Sequence, residues 1–250
     1  MPSRCYEVLF FDVGGTLAWA EPKADAIWVR ALEEHGYTVT AEEIVAKSGV
    51  TGPEFNRPDI IRAFNETDDE FRGSFPTAEG QEAFFRRYDR ALLRRLGVSP
   101  DDAILDTVRH LFRGVVSHLF DDVRSTLTGL ESEGYRLGVI SNATHDLPKG
   151  LEGLDLTRHF ESITYSYAVG AEKPDPRIFQ SALSAMEISP SAAVHIGDHV
   201  EADVRGAQRV GITPMLIDRK GKHPDGDFIV LRSLSEISKR LIAGGSRKGS

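Results

Sequence analysis

The feature of this chain that most restricts its fold is the placement of its strand-like segments. Tyr6-Glu7-Val8-Leu9-Phe10-Phe11 is a short, mostly apolar run stopped by the Gly14-Gly15 pair, and it reads as a strand. About 100 residues of helical spacing follow, with no further strand. From about residue 120 onward helix and strand alternate, the pattern of a parallel sheet covered by helices on both faces. The lone first strand fits that sheet if a helical block has been inserted behind it. The expectation is an α/β core from residues 1–19 and 118–243 and an all-helical domain from 20–117. The small, polar stretch 244–250 should be a flexible tail.

Within the helical block, residues 24–35 carry helical apolar spacing closed by Gly36, and Thr40 with Glu43 forms a capping-box signature for a helix ending near Gly49. A longer amphipathic helix spans 79–96 and closes at Gly97; Ser99-Pro100 is expected to open the next, Ser as N-cap and Pro as its first residue. Arg86, Arg87, Arg90, Arg94 and Arg95 lie opposite Phe84, Phe85, Tyr88, Leu92 and Leu96, which reads as a solvated face opposite a core face. Trp19 and Trp28 read as packing residues. In the second half, strands are expected at 136–140, 162–167, 192–196, 214–217 and 228–231. Helices are expected at 123–133, 176–186, 201–210 and 235–242.

Of the 250 residues 40% are hydrophobic and 27% charged, enough apolar side chains for a proper core. The net charge of −8 argues against a nucleic-acid binder, and it means that an anionic substrate needs a local cation. The single cysteine, Cys5, allows no intramolecular disulfide, which suits a reducing cytosol. No apolar stretch approaches the roughly 20 residues needed to span a bilayer, and Asp12 interrupts the N-terminal apolar run too early for a signal peptide. The expectation is a cytoplasmic protein with no membrane or nucleic-acid partner, a monomer or homodimer.

Open α/β sheets bind ligands outside the carboxyl ends of their strands, so the residues that follow each strand carry the functional reading. These are Asp12-Val13-Gly14-Gly15-Thr16, Ser141-Asn142, Lys173-Pro174, and Gly197-Asp198 with Asp203 five residues further on. Each alone is a turn, a cap or a solvated charge. Together they make a chemically sensible set. Asp12 and Asp198 can hold a hard divalent cation such as Mg²⁺. Ser141 can donate a hydrogen bond to phosphate, Lys173 supplies a compact positive charge, and Gly14 and Gly15 let the backbone approach an oxyanion. With charge neutralised in this way, Asp12 can attack a phosphoryl group in line and form an acyl phosphate.

Phe10-Phe11-Asp12-Val13-Gly14-Gly15-Thr16-Leu17 resembles the first motif of the haloacid dehalogenase (HAD) superfamily, Asp-x-Asp-Gly-Thr. Val139-Ile140-Ser141-Asn142 is similar to the second motif, Lys173-Pro174 to the third, and Gly197-Asp198 with Asp203 to the fourth. The order covers nearly the whole core and looks like the phosphatase branch with a helical cap after the first strand. The resemblance implies a Rossmann-like core and a Mg²⁺-dependent hydrolase acting on a small phosphorylated substrate. Asp12 is then nucleophile and metal ligand, Ser141 and Lys173 bind phosphate, and the Gly14 carbonyl and Asp198 complete the metal site. Gly15, Thr16 and Asn142 face the substrate, and Asp203 stands behind the metal or Lys173.

One departure stands out. The family's phosphatases usually carry an acid/base Asp two residues after the nucleophile, where this chain has Gly14. The substrate then needs a good leaving group, or a cap residue or His199 replaces the acid, or turnover is slow. The alternatives are a 2-haloacid dehalogenase, which also lacks that Asp but works without metal; a phosphonatase-like hydrolase using Lys47; and a phosphometabolite- or partner-binding module. His145 reads as a surface residue and His195, inside an apolar strand, as a satisfied core residue.

Overall fold

In the computed structural model the described residues are 5–48, 78–224 and 227–245; most of the expected tail lies outside them. The chain divides into two compact units, Met1–Trp19 with His118–Ser250, and Ala20–Ser117.

The first unit is built on β1 (Val8–Phe11). The chain then forms two short strands, β2 (Ala18–Glu21) and β3 (Val116–Leu119), which pair with each other. β4 (Arg136–Ser141), β5 (Ser162–Tyr165), β6 (Ala193–Gly197), β7 (Thr213–Ile217) and β8 (Ile229–Leu231) follow. The main sheet has the order β5-β4-β1-β6-β7-β8 and all its pairings are parallel, so this unit is an α/β, Rossmann-like core. All four residues of β1 are buried, which is why it reads as a continuous apolar run rather than an alternating one. Leu9 and Phe11 pack on one face with Val123, Leu127 and Ile237; Val8 and Phe10 pack on the other with Ile178, Phe179 and Ala182. Helices therefore cover both faces. After β1 the chain builds outward to β4 and β5, then crosses to β6 on the other side of β1. That reversal opens a crevice at the carboxyl end of β1, the place where such sheets bind ligands.

The second unit contains helices Ala24–Glu34, Ala41–Ser48, Ala78–Arg95 and Asp102–Arg113 around a core that includes Trp28, Leu32, Ile44, Tyr88, Leu92 and Leu105. The Thr40 capping box is present in both directions, at 2.9 and 3.2 Å. Arg90 pairs with Asp102 and Arg86 with Asp106, on the face away from buried Phe85, Tyr88 and Leu92. No helix among the described residues is long and apolar enough to cross a membrane.

Several expected boundaries move. The helix expected to start at Ser99-Pro100 instead takes Asp101 as its N-cap, whose carboxylate accepts from Ala103 N at 2.9 Å. The strand expected over 162–167 stops at Tyr165, because the Ser166 hydroxyl turns back to the Ala143 backbone, accepting from its N–H and donating to its carbonyl, and a short helix begins. The helix expected over 201–210 opens as a wider π-helical turn, Val200–Arg205. β2 and β3 lie at the margins of the block expected to be all helical; β3 carries Ser117 and His118 and is largely exposed, so it leaves no apolar trace. Trp28 is wholly buried as a packing residue, but Trp19 is 39% exposed and stacks on His118, ring centroids 4.7 Å apart.

Candidate active site

Asp12 follows directly on β1, and its backbone N–H donates to Ile196 O of neighbouring β6 at 2.9 Å. The next residues fold tightly: Leu17 and Ala18 N–H both donate to Val13 O at 2.9 Å. Gly15 takes φ +71, a conformation other residues rarely adopt, and a Cβ there would overlap the Asp198 carboxylate. The glycine thus permits β1 and β6 to bring their terminal carboxylates together. Carboxylate oxygens of Asp12, Asp198 and Asp203 all lie within 4.8 Å of one another.

Ser141 ends β4, and its hydroxyl donates to Asp12 Oδ1 at 2.8 Å. Lys173, 2% exposed, sends its ammonium to three acceptors: Asp12 Oδ1 at 2.7 Å, Asp203 Oδ1 at 2.6 Å and the Ile140 carbonyl at 3.0 Å. All three ammonium protons are thereby used. Burial by itself would favour the neutral amine, but the charges of Asp12 and Asp203 outweigh it and raise the Lys173 pKa above its ordinary value. Burial would likewise raise Asp203. The Lys173 charge and the His195 hydrogen bond win, holding its carboxyl well below the usual carboxylate range. Both groups stay charged in a nearly dry site.

Asp203 is engaged on both oxygens. Oδ1 accepts from Lys173 and from His195 Nε2 at 2.9 Å, and Oδ2 accepts from His199 N at 2.9 Å. A Cβ on Gly197 would overlap its carboxyl, so this glycine supplies the space in which Asp203 sits. With donors on three of the roughly four lone-pair sites of its carboxylate, Asp203 is better placed to hold Lys173 than to bind a metal. By contrast Asp12 Oδ2 receives no hydrogen bond among the described residues.

The structure therefore gathers Asp12, Ser141, Lys173, Asp198 and Asp203 at one sheet edge. Three residues of the sequence reading sit differently from expectation. The Asn142 side chain does not face outward to a substrate: its Nδ2 donates to Lys173 O at 3.1 Å and its Oδ1 accepts from Lys173 N at 2.7 Å. It clamps the backbone that carries the lysine. Thr16 is fully buried; its hydroxyl has no partner among the described residues, and its carbonyl accepts from Arg219 at 2.8 Å. His195, expected to be satisfied, has a partner among the described residues for only one of its nitrogens. His199 caps the following turn, its Nδ1 accepting from Ala202 N at 3.2 Å, and His145 is exposed beside Asp146. Gly14 is exposed, and a Cβ built on it meets nothing within 4 Å. Sequence reading missed the links from His195 to Asp203 and from Arg219 to the Thr16 carbonyl; a lone histidine in an apolar strand was the available signal for the first.

A parallel α/β core with a carboxylate nucleophile candidate, a hydroxyl and a second carboxylate at three strand ends, and a buried ammonium from the loop after a fourth strand, defines a class of hydrolase. The chain belongs to the haloacid dehalogenase-like hydrolase family, whose sequence profile matches residues 6–211. It is 29% identical over 227 residues to the glyceraldehyde 3-phosphate phosphatase of Methanopyrus kandleri, covering 88% of this chain and 86% of that one. It is 34% identical over 125 residues, 48% of this chain, to haloacid dehalogenase-like hydrolase domain-containing protein 3 of Bos taurus, and so spans about half the length of that relative. Among solved structures, the 2-haloacid dehalogenase of Pseudomonas syringae pv. Tomato superimposes with a TM-score of 0.63 at 26% identity, over 96% of this chain and 99% of that one.

Proposed function

We propose that the chain is a Mg²⁺-dependent phosphatase that acts on a small phosphorylated metabolite through an aspartyl phosphate on Asp12. The observation that carries this reading is the Asp12 carboxylate: Oδ1 is held by Ser141 and Lys173, and Oδ2, beside Asp198, receives no hydrogen bond from the described residues.

The cluster fits a divalent cation on its charges. Three carboxylates outnumber the Lys173 ammonium in a mostly buried site. Asp12, Asp198 and the Gly14 carbonyl are the groups that would hold the ion; bound there, Mg²⁺ would supply positive charge against the phosphoryl oxygens. In the chain's own chemistry, Ser141 and Lys173 fix the Asp12 plane and keep one oxygen pointed for in-line attack. That oxygen bonds to phosphorus as the bond to the leaving-group oxygen breaks, and Lys173 balances charge on the transferring group. Water then attacks the phosphorus of the acyl phosphate, releasing phosphate and restoring the carboxylate.

Gly14 cannot protonate the leaving group, so good leaving groups such as acyl and aryl phosphates are favoured. The dehalogenase alternative works without metal and so makes no use of Asp198 as a metal ligand. Lys47, needed for phosphonatase chemistry, is exposed near the end of its helix. The relevant experiment is a phosphatase panel with Mg²⁺ on wild type and Gly14→Asp, whose new side chain enters open space. The substitution should speed alkyl phosphate hydrolysis by about 10²-fold, while wild type favours aryl and acyl phosphates. No hydrolysis by either folded protein would leave the binding-module reading; chloride release insensitive to EDTA would leave the dehalogenase.

A further inference from the structure

β6 runs Ala193-Val194-His195-Ile196-Gly197 through the middle of the sheet, and all five residues are buried. A histidine there must satisfy two ring nitrogens where an aliphatic side chain would have none to satisfy. Only Nε2 succeeds, 2.9 Å from Asp203 Oδ1; Nδ1 has no partner among the described residues. The ionised Asp203 carboxylate can only accept, so Nε2 carries the proton of this contact. Phe179 meets the ring edge-on at 5.5 Å and holds its plane. An aliphatic side chain at this place would bury no polar atom, so the ring is set apart from its strand neighbours by the donor it aims at Asp203. What the ring brings to this strand is its Nε2–H.

That N–H ends on an atom shared with the active site. Asp203 Oδ1 accepts from His195 and from Lys173 Nζ, and Lys173 Nζ reaches Asp12 Oδ1. The four side chains form one buried line from β6 to the nucleophile. We propose that His195 is a positioning residue: by donating to Asp203 Oδ1 it fixes the carboxylate plane that aims the Lys173 ammonium at Asp12. Without this donor, Asp203 retains Lys173 and the His199 N–H but loses the contact that sets the direction of Oδ1. The ammonium then redistributes among Asp203, Asp12 and the Ile140 carbonyl. Its charge stays in the site while its aim is lost, so the effect falls on turnover more than on substrate affinity. The kinetic consequence rests on the phosphatase reading above; the hydrogen-bonded line does not.

Two measurements on the full chain test this. Proton–nitrogen correlation NMR reads the line without turnover: His195 should carry its proton on Nε2, and the Lys173 ammonium resonance should shift in His195→Leu and return toward its wild-type position in His195→Gln, whose amide keeps a donor. A ring with no proton on Nε2, or a Lys173 signal unmoved by His195→Leu, overturns the proposal. With p-nitrophenyl phosphate and Mg²⁺, His195→Leu should lower kcat about 10-fold and leave KM within about two-fold, and His195→Gln should recover most of the rate. Equal losses in both folded variants, or an undiminished kcat in His195→Leu, also overturn it. A wild type that hydrolyses nothing would sink the phosphatase reading, and the Lys173 resonance would still decide this one.

Discussion

The two units of the chain share exposed ion pairs at their surfaces and differ in the charge that they bury together. In the inserted helical unit the described charged pairs each keep at least one partner exposed: Arg30 with Glu34, Arg109 with Asp106, Arg90 with Asp102. Its core is almost wholly apolar, with Ser48 and Asp89 the polar groups buried among the described residues. The α/β unit buries Asp12, Ser141, Lys173, His195 and Asp203 together at the ends of its central strands. Exposed ion pairs are cheap and nearly dispensable. Buried ones carry a desolvation cost that is recovered only if every partner is in place, so a fold that keeps such a cluster has a use for it. The contrast locates chemistry in the first unit and ordinary helix stabilisation in the described part of the second.

Breaking the cluster should have the largest effect. Lys173→Met leaves Asp12 and Asp203 facing each other without compensation; it should cost about 3–5 kcal/mol of stability and, at the transferring phosphoryl group, about 10²–10³-fold in kcat. A variant that denaturant melts and rate measurements cannot tell from wild type would erase the distinction between the units. Acid should act on the same cluster. The folded Asp203 carboxyl lies below its unfolded value of about 3.9, so its contribution to stability is present above about pH 4 and lost as pH falls below it. Thermal unfolding against pH should show a shallower acid limb in Asp203→Asn than in wild type; equal steepness would mean that the buried carboxylate contributes nothing. Lys173 has the reverse sign: raised on folding, it contributes fully below about pH 10.4 and loses that contribution as pH rises through its folded value. At the small end, Arg30→Ala removes an exposed i,i+4 pair and should cost less than about 0.5 kcal/mol, with unchanged activity.

Sequence showed the frame and the charged residues of the site, because both leave marks along the chain. β1 is a continuous apolar run since both its faces are covered, and Gly14-Gly15 ends it where the crevice begins. Asp12, Ser141 and Asp198 each stand at a strand end, and Lys173 lies in the loop beyond the short helix that follows β5. The partners of these residues left no mark. Asn142 reads as one more phosphate-facing side chain, and only folding turns its amide onto the Lys173 backbone, 31 residues away. The bond from His195 to Asp203 links a strand to the turn after it, and no periodicity reports such a contact. β3 escaped because a short, exposed strand buries nothing, and Trp19 because an exposed stacked indole looks the same in sequence as a buried one.

The most direct test is to look for the covalent intermediate. Wild type is mixed with an aryl phosphate and Mg²⁺, quenched in acid within a turnover, digested, and the peptide containing Asp12 is examined by mass spectrometry. A phosphoryl adduct on that peptide, absent from Asp12→Asn, is the predicted result. Hydrolysis at the wild-type rate by Asp12→Asn, with no adduct in either protein, would contradict the assignment of Asp12 as the nucleophile.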